Sequence, residues 1–539
     1  MKLSYAPFVF SALLLGALAA HGQSAAVKQA APAPNATPVF RVETKIVILD
    51  VVVTDAQGNI VPGLKKDDFE VFQDNVPQKI RSFDPYTDRK PLPDTPVMDR
   101  FNRPDWGEAP LTIFVLDELN TPFDEKSYSA VQLKKYLKAQ TPILAGPAML
   151  MVVNDYGYHQ LQDYTRDRDL LIAKLDARPP SIPNKLTTGE NDLLLKQSFA
   201  LLRQIAMFSQ GLRQHKNIIW IGRGFPSLDP SGLTDASQAS LEAAIRDTVT
   251  LLQDARVTVF KVDPMATTTQ LTTTDQAATM DVTGGTIGDN GDLQAPSEDP
   301  FADNFNFNNF ALATGGRYFY GQNDLNRFIN NSMTEGSEYY TLSYMPPPAT
   351  TDGTFLNIAI KMMKPGLTAQ TRQGYYAQVG PKPEPTADEL GFDLGQVAVS
   401  EMQYAGVSAS ITSIERAKVP GKISVTFQIE NRTLDWTTIA DGSTSEFTTV
   451  IVGLDSKRRI LSSNAYKMHP FMAREDSSLL STGVMTVRDD ADVNTKTRYM
   501  RVLVRDSNGR IGTADIDTTQ LQTLINKVPL SVQGIGMRH

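Results

Sequence analysis

The sequence predicts an α/β fold: a doubly wound, mostly parallel sheet flanked by small β modules and a C-terminal β-sandwich. Three observations support this prediction. Over residues 110–380, strand patterns alternate with helical patterns, the order that builds a parallel sheet with helices on both faces. Apolar runs there, such as IFVL and VTVFKV, lack polar alternation, as strands buried on both faces do. Residues 395–539 show strand patterns separated by turn sequences, as in a β-sandwich.

The N-terminal residues have the pattern of a secretory signal peptide. Residues 1–22 contain Lys2, an apolar stretch that ends at Ala20, and small residues at a cleavage site. The apolar stretch is shorter than the roughly twenty residues that a membrane span needs. We therefore expect export to the periplasm or the extracellular space, with no membrane span after cleavage. The Ala/Pro-rich residues 23–38 are expected to form a flexible leader.

The rest of the chain divides by its local patterns. Residues 39–86 alternate apolar and polar side chains around turn clusters, which predicts a small antiparallel β module. Residues 87–109 contain several prolines and show no periodicity, so a linker is predicted there. The α/β domain with appended strands then covers 110–380. The Pro-rich residues 381–394 are predicted to be a second linker, which leads into the β-sandwich of residues 395–539.

The composition limits the kinds of function that the chain can have. The formal net charge is -8 and no basic stripe is present, so we expect no nucleic-acid partner. The chain contains no cysteine, which excludes disulfides and thiolate chemistry. Its 5 histidines show no metal-ligand spacing such as H-E-x-x-H. Residues 266–300, rich in Thr, Asp and Gly, are predicted to form a long loop that is open to proteases.

The candidate binding residues follow from the predicted sheet. Ligands of open α/β sheets bind beyond the carboxyl ends of the strands. The polar residues at those positions include Asp117, Asn120 and Thr121 after the first strand, Asp155 after the second, and Arg223 after KNIIWIG.

Several segments together resemble a known family. The sequences VLDELNTPF, KNIIWIGRGFP, ATGGRYFYGQNDL and YYTLSYMP resemble exported von Willebrand factor A (VWA)-related proteins of acidobacteria, and the resemblance covers about residues 40–380. VWA domains carry a metal-ion-dependent adhesion site built from D-x-S-x-S after the first strand, a later threonine, and the aspartate of a T-D-G sequence. The resemblance therefore implies a VWA-like fold and a site at the rim around Asp117.

The metal motif of that family is incomplete in this chain. Asp117 matches its first position, Leu119 stands at the first serine, and Thr121 replaces the second. Gly222 and Arg223 stand where the threonine and aspartate of T-D-G belong. A hard divalent ion needs about six oxygen ligands, and neither leucine nor a guanidinium supplies one. We therefore predict a degenerate site with no cofactor, in which Arg223 pairs with Asp117 where the metal would sit.

Two alternatives stay open at this rim. One is a weak or rearranged divalent-cation site formed by Asp117, Asn120, Thr121 and Asp155. The other is that Asp117 and Arg223 do not touch, and Asp117 is a turn or helix-capping aspartate before the helix that Thr121 and the next proline would start.

The expected function is that of an exported, non-catalytic protein that binds a protein partner, in adhesion or in envelope assembly. The first alternative is an extracellular hydrolase with a site in an interdomain cleft, which would place His159 or His215 beside a serine and a carboxylate. The second alternative is a structural scaffold, which would expose no large apolar patch.

Overall fold

The computed structural model describes most of the chain. The described residues are 46–88, 92–98, 104–154, 157–178, 191–225, 234–264, 299–301, 305–319, 325–348, 351–379, 387–516 and 518–525. The predicted signal peptide and leader, Asp155, and nearly all of the predicted loop 266–300 lie outside them. Two compact units are formed, Glu43–Lys382 and one that contains Pro383–His539. Among the described helices, none is both long enough and apolar enough to cross a membrane.

The unit Glu43–Lys382 contains both strands and helices. Its strands are β1 (Val47–Asp55), β2 (Phe69–Gln73), β3 (Val76–Gln78), β4 (Ile80–Asp84), β5 (Val97–Met98), β6 (Pro104–Asp105), β7 (Leu111–Asp117), β8 (Ile143–Asn154), β9 (Gly157–Asp167), β10 (Lys216–Ile221), β11 (Val257–Val262), β12 (Tyr318–Phe319), β13 (Tyr340–Tyr344), β14 (Phe355–Met362), β15 (Leu367–Gln370) and β16 (Gly374–Tyr376). Its helices are α1 (Phe123–Ala139), α2 (Arg168–Ala177), α3 (Asn191–Ser209), α4 (Asp235–Asp254), α5 (Asn308–Thr314) and α6 (Leu325–Ser337).

Six of these strands form the central sheet, in the order β12-β11-β10-β7-β8-β9. Neighbouring strands are parallel except for β8 and β9, which form an antiparallel pair at one edge. Counted along the chain, this is the 3-2-1-4-5-6 order of a doubly wound sheet. The prediction of a mixed α/β fold around a mostly parallel sheet is confirmed. The strand order reverses between β7 and β10, so these two strands flank the switch point.

Helices cover both faces of this sheet because its strands are apolar on both faces. On one face α1 packs against α2 and α6, and on the other α3 packs against α4, while α5 packs on β11. The first face has a continuous core whose strand residues include Phe114, Leu116, Leu150, Ile219 and Val262 and whose helix residues include Leu133, Leu137, Leu171, Leu175, Leu325 and Ile329. Alternate strand residues, such as Trp220, point to the opposite face.

Strands before and after the central sheet combine into two further sheets. Their orders are β15-β1-β13-β4 and β16-β14-β2-β3, and they share one core. Asp50 on β1 is in register with Thr341 on β13, 291 positions later. The sequence predicts a separate β module for residues 39–86, whereas in the structure β1 pairs with β13 and β15, and β2 pairs with β14. A few short strands bury too little apolar surface to be stable alone, which explains this pairing.

The second unit is mostly β. Its strands are β17 (Ala409–Arg416), β18 (Lys422–Glu430), β19 (Thr437–Ile439), β20 (Gly442–Thr444), β21 (Phe447–Leu454), β22 (Ile460–Met468), β23 (Phe471–Ala473), β24 (Val484–Asp492), β25 (Tyr499–Asp506) and β26 (Ile511–Asp515), and its helices are α7 (Ala387–Val399), α8 (Leu479–Thr482) and α9 (Thr518–Ile525). The described strands form three antiparallel sheets, β17-β18-β24, β19-β20-β23 and β22-β21-β25-β26. That they pack as a β-sandwich stays a prediction.

Helix α7 occupies part of the segment that the sequence suggested as the linker 381–394. Arg501 donates to the carbonyl oxygens of Val397 and Ser400 at 2.9 and 2.6 Å. Arg458 donates to those of Val399 and Ser400 at 2.7 and 2.6 Å. These two cations satisfy the free carbonyl groups at the helix C-terminus. Both arginines are distant in sequence, so the local pattern gave no sign of this stabilisation.

Candidate functional site

The candidate site lies at the switch point of the central sheet. The end of β7 lies beside the end of β10, with Leu116 in register with Ile221. Asp117 is the last residue of β7, and Gly222 and Arg223 directly follow β10. This is the crevice in which open α/β sheets bind their ligands.

The carboxylate of Asp117 is fully engaged by N–H groups of the protein. Its Oδ1 accepts from the backbone amides of Leu119 at 3.1 Å and Asn120 at 2.9 Å. Its Oδ2 accepts from Trp220 Nε1 at 3.1 Å and from the Gly224 amide at 2.8 Å. The Nδ2 group of Asn120 lies 3.4 Å from both oxygens. Asp117 is only 2% exposed, and these neutral N–H donors surround its carboxylate.

This environment defines the electrostatics of Asp117. Burial raises the pKa of its carboxyl group, while the hydrogen bonds from Asn120, Trp220 and Gly224 oppose that rise. The short-range contacts to Leu119 and Asn120 make Asp117 a turn aspartate. Helix α1 starts later, with Pro122 at its N-cap, so Asp117 does not cap that helix.

Glycine is required beside Asp117 because the backbone approaches the carboxylate closely. Gly222 has a φ of +150°. A Cβ atom at Gly222 would lie 2.6 Å from Thr121 Oγ1 and closer still to Cβ of Asp117. Thr121 Oγ1 in turn accepts from the Arg223 amide at 3.0 Å. The backbone after β10 thus occupies the space next to the two residues that match the metal motif.

Aromatic side chains fill the crevice beyond this contact. Gly224 has a φ of +65°, and a Cβ atom there would lie 2.6 Å from Cβ of Phe307. The Phe307 ring packs on Trp220 with centroids 4.5 Å apart and on Phe225 at 5.4 Å. Phe307 and Phe310 are both buried. Residues 305–310 therefore supply aromatic core residues of the crevice.

The predicted ion pair between Asp117 and Arg223 is wrong. The guanidinium of Arg223 binds both carboxylate oxygens of Glu125 in the first turn of α1, with Nε 2.8 Å from Oε2. Two features explain the difference. The hydrogen-bonding capacity of Asp117 is already used by N–H donors, and the bond from the Arg223 amide to Thr121 fixes the backbone from which its side chain leaves.

The other predicted rim residues have separate roles. Leu119, which the resemblance aligned with a ligand serine, is buried. Asn120 donates from Nδ2 to Ser198 Oγ at 3.1 Å. Asp155 is outside the described residues. Within the described part of the chain, no group of three or more His, Asp or Glu residues is arranged to hold a metal ion.

The Arg223–Glu125 pair predicts a small effect on stability. The Arg223 side chain is 32% exposed and that of Glu125 17% exposed, so solvent screens the pair. We expect Arg223→Ala to lower the free energy of unfolding by about 1 kcal/mol or less. Urea unfolding of this variant, of Glu125→Gln and of the double variant measures the coupling energy. A loss of about 3 kcal/mol or more would show that Arg223 compensates a buried charge after all.

The surroundings of His215 bear on the hydrolase alternative. Nδ1 of His215 lies 2.7 Å from Asp50 Oδ2, and Nε2 lies 3.0 Å from Asn217 Oδ1. Asn217 Nδ2 donates to the Gly336 carbonyl at 2.6 Å. Both ring nitrogens are therefore occupied, and neither contacts a serine. A triad would need a hydroxyl at the nitrogen that Asn217 occupies.

Comparison with known proteins gives low similarity. No family model matches the chain, and no curated protein is similar enough to count as a match. The crystal structure of BatB from Bacteroides thetaiotaomicron is 11% identical, covering 42% of this chain and 98% of that one, with a TM-score of 0.22. The SpRpn10 VWA domain is 13% identical over 30% of this chain and 90% of that one, with a TM-score of 0.16. Human COPII-coat protein Sec24c is 9% identical over 51% and 44%, with a TM-score of 0.24. The fold assignment therefore rests on the strand order and pairing of this chain.

Proposed function

We propose that this chain is an exported, non-catalytic binding protein built on a VWA-like domain. Its partner is a protein, bound in adhesion or in envelope assembly. The domain binds that partner without a bridging metal ion. The observation that carries this proposal is the set of N–H donors that surrounds the carboxylate of Asp117.

The chemistry of these donors opposes metal binding. A divalent ion is stabilised by oxygen ligands with negative charge, whereas N–H dipoles present their positive ends. To reach Asp117, an ion would have to displace the N–H groups of Trp220 and Gly224 and leave them buried without acceptors, which costs free energy. The backbone of Gly222 and the ring of Phe307 also fill the adjoining space. A partner carboxylate that completes a metal shell therefore has no support here.

Two alternatives have less support. The hydrolase alternative needs a histidine beside a serine and a carboxylate. The ring nitrogens of His215 are hydrogen-bonded to Asp50 and Asn217 instead. The scaffold reading predicts that no specific partner binds. Affinity capture from envelope extract separates scaffold from binding protein, because only the binding protein retains a defined partner at stoichiometric level.

Calorimetric titration is the direct test of the metal-independent mechanism. We expect magnesium, manganese and calcium to give no saturable micromolar binding to the whole chain. In affinity capture, the partner should stay bound when a chelator is present. Micromolar binding that disappears in Asp117→Ala would contradict the proposal and restore a metal-bridged mechanism.

An engineered variant makes this test sharper. Leu119→Ser combined with Arg223→Asp restores two ligand types of the motif in sequence. We expect no metal-dependent stability in this variant, because the Gly222 backbone and the donors to Asp117 still occupy the site. A rise in its melting temperature with added magnesium, beyond that of the unmodified chain, would show that these two residues alone had emptied the site.

A further inference from the structure

A cavity of about 90 Å³ lies in the unit Glu43–Lys382, away from the crevice at Asp117. Its walls come from the start of β1, the end of α4 and the segment 372–376, and they include Arg256 and Arg372. Arg256 directly precedes β11, so the cavity lies near the amino end of that strand. The Asp117 crevice is at the carboxyl ends, and the following inference does not depend on the function proposed for it.

Arg372 is a half-buried cation that forms no ion pair within the described residues, although the charges of Asp254 and Asp50 act on it from a distance. Its Nε atom is buried and has no hydrogen-bond partner among the described residues. Its guanidinium carbon lies 5.9 Å from the ring centroid of Tyr375, a distance at which an aromatic face gives only modest stabilisation. Burial lowers the pKa of Arg372. A guanidinium removed from water is stabilised only when its donors find acceptors, and the part of the chain that the structure describes supplies none at Nε.

Arg256 brings a second guanidinium to the same cavity. Most of its donors are used, since Nη2 donates to Asp50 Oδ1 at 2.7 Å and to Thr341 Oγ1 at 3.3 Å, and Nη1 donates to the Arg213 carbonyl at 3.4 Å. Its Nε is buried and has no partner among the described residues. Arg256 also has a φ of +53°, at a position after helix α4 where glycine is the usual residue. Arg256 therefore occupies a position whose backbone conformation favours glycine.

The remaining residues around the cavity indicate the charge and the polarity of a ligand that would fit. Asp254 also lines it and is exposed, and no ion pair joins it to Arg372 within the described residues. Ile46 and Ile48 line it too, and they are 57% and 41% exposed. The guanidinium fork of Arg372 suits a planar oxyanion, and exposed isoleucines suit a ligand that carries apolar atoms next to its charge.

We propose that this cavity binds the carboxylate group of a ligand with an adjoining apolar chain, through the guanidinium group of Arg372, with Arg256 adding positive charge beside it. The carboxylate can come from a free short-chain acid or from the C-terminus of a peptide. Asp254 on the wall weakens the binding by repulsion.

The test compares ligands and variants of the full chain by thermal unfolding and calorimetry. The probes are butyrate, acetate, inorganic phosphate, and a short apolar peptide with either a free or an amidated C-terminus. We expect butyrate to raise the melting temperature in a concentration-dependent way and to bind better than acetate or phosphate. Arg372→Gln should lower the affinity for butyrate about tenfold or more, and Asp254→Asn should increase it. The matched control is Arg81→Gln, which removes the same charge from an exposed side chain and should leave the affinity unchanged.

A second readout separates binding from general salt effects. Salts also stabilise proteins by exclusion from the surface, an effect that Arg372→Gln retains. Without ligand, this variant should be at least as stable as the unmodified chain, because a half-buried cation that has no ion pair is removed. With butyrate bound, the unmodified chain should be more stable than Arg372→Gln. Binding of the free-terminus peptide but not of its amide would identify a peptide as the source, and binding of butyrate alone a free acid. Equal responses of the unmodified chain and Arg372→Gln, or a preference for phosphate over butyrate, would overturn the proposal.

Discussion

Replacing Asp117 by alanine is expected to destabilise the unit Glu43–Lys382 by roughly 3–5 kcal/mol. The carboxylate accepts from two backbone amides of its own turn and from Trp220 Nε1 and the Gly224 amide. Without it, these donors lose their acceptor in a site that water hardly reaches. Urea unfolding followed by tryptophan fluorescence measures the change, because Trp220 is next to the substituted residue and reports on this unit.

Two control variants define what the Asp117 result means. Asp176→Ala removes a half-exposed carboxylate whose partner is Lys134, and we expect a change below about 1 kcal/mol. Asp117→Asn keeps the size of the side chain and one acceptor oxygen, so its cost should lie between those of the two alanine variants. A loss below about 1 kcal/mol in Asp117→Ala would show that the donors find other acceptors. The switch point would then not depend on this carboxylate.

The central sheet could be predicted because its signals are local. The uninterrupted apolar run of β7 and the long amphipathic pattern of α4 each identify an element within one window of sequence. The pairing of β1 with β13 and β15 carries no such signal, since the partners are far apart in the chain. Strand patterns show that residues 39–86 are β, but they do not show which strands complete their sheets.

The candidate site shows the same limit at the level of single residues. The position of Asp117 at the end of a strand follows from the sequence, and so does the absence of a side-chain oxygen at Leu119. The partner of Arg223 does not follow, because a motif alignment places a residue in the chain without giving the direction of its side chain. The role of Trp220 could not be predicted, because a tryptophan in an apolar strand is normally assigned to the hydrophobic core. Its N–H group lies beside Asp117 only once the sheet has formed.

Asp50 connects the flanking β sheets to the central sheet. It lies on β1 and contacts His215 Nδ1, Arg256 Nη2 and Thr341 Oγ1, each at 2.7 Å. His215 and Arg256 directly precede the central strands β10 and β11. Burial alone would raise the pKa of Asp50, but His215 and Arg256 outweigh it and hold that pKa well below its usual range. Burial lowers the pKa of His215, and the Asp50 carboxylate acts against that change.

Asp50→Asn is therefore expected to lower the free energy of unfolding by about 3 kcal/mol at neutral pH, because Arg256 and His215 lose their anion. The pH dependence has a definite sign. A carboxyl group whose pKa is lowered by folding stabilises the protein above its unfolded pKa of about 3.9 and loses that contribution as the pH falls further. The difference in stability between the unmodified chain and Asp50→Asn should widen as the pH falls through about 6.5, because the variant no longer opposes the lowering of the His215 pKa. The contribution of Asp50 itself should be lost only below about pH 4, where the difference should shrink. Urea unfolding of both proteins over this range provides the measurement. A difference that does not shrink below about pH 4 would mean that Asp50 is not held as an anion by His215 and Arg256.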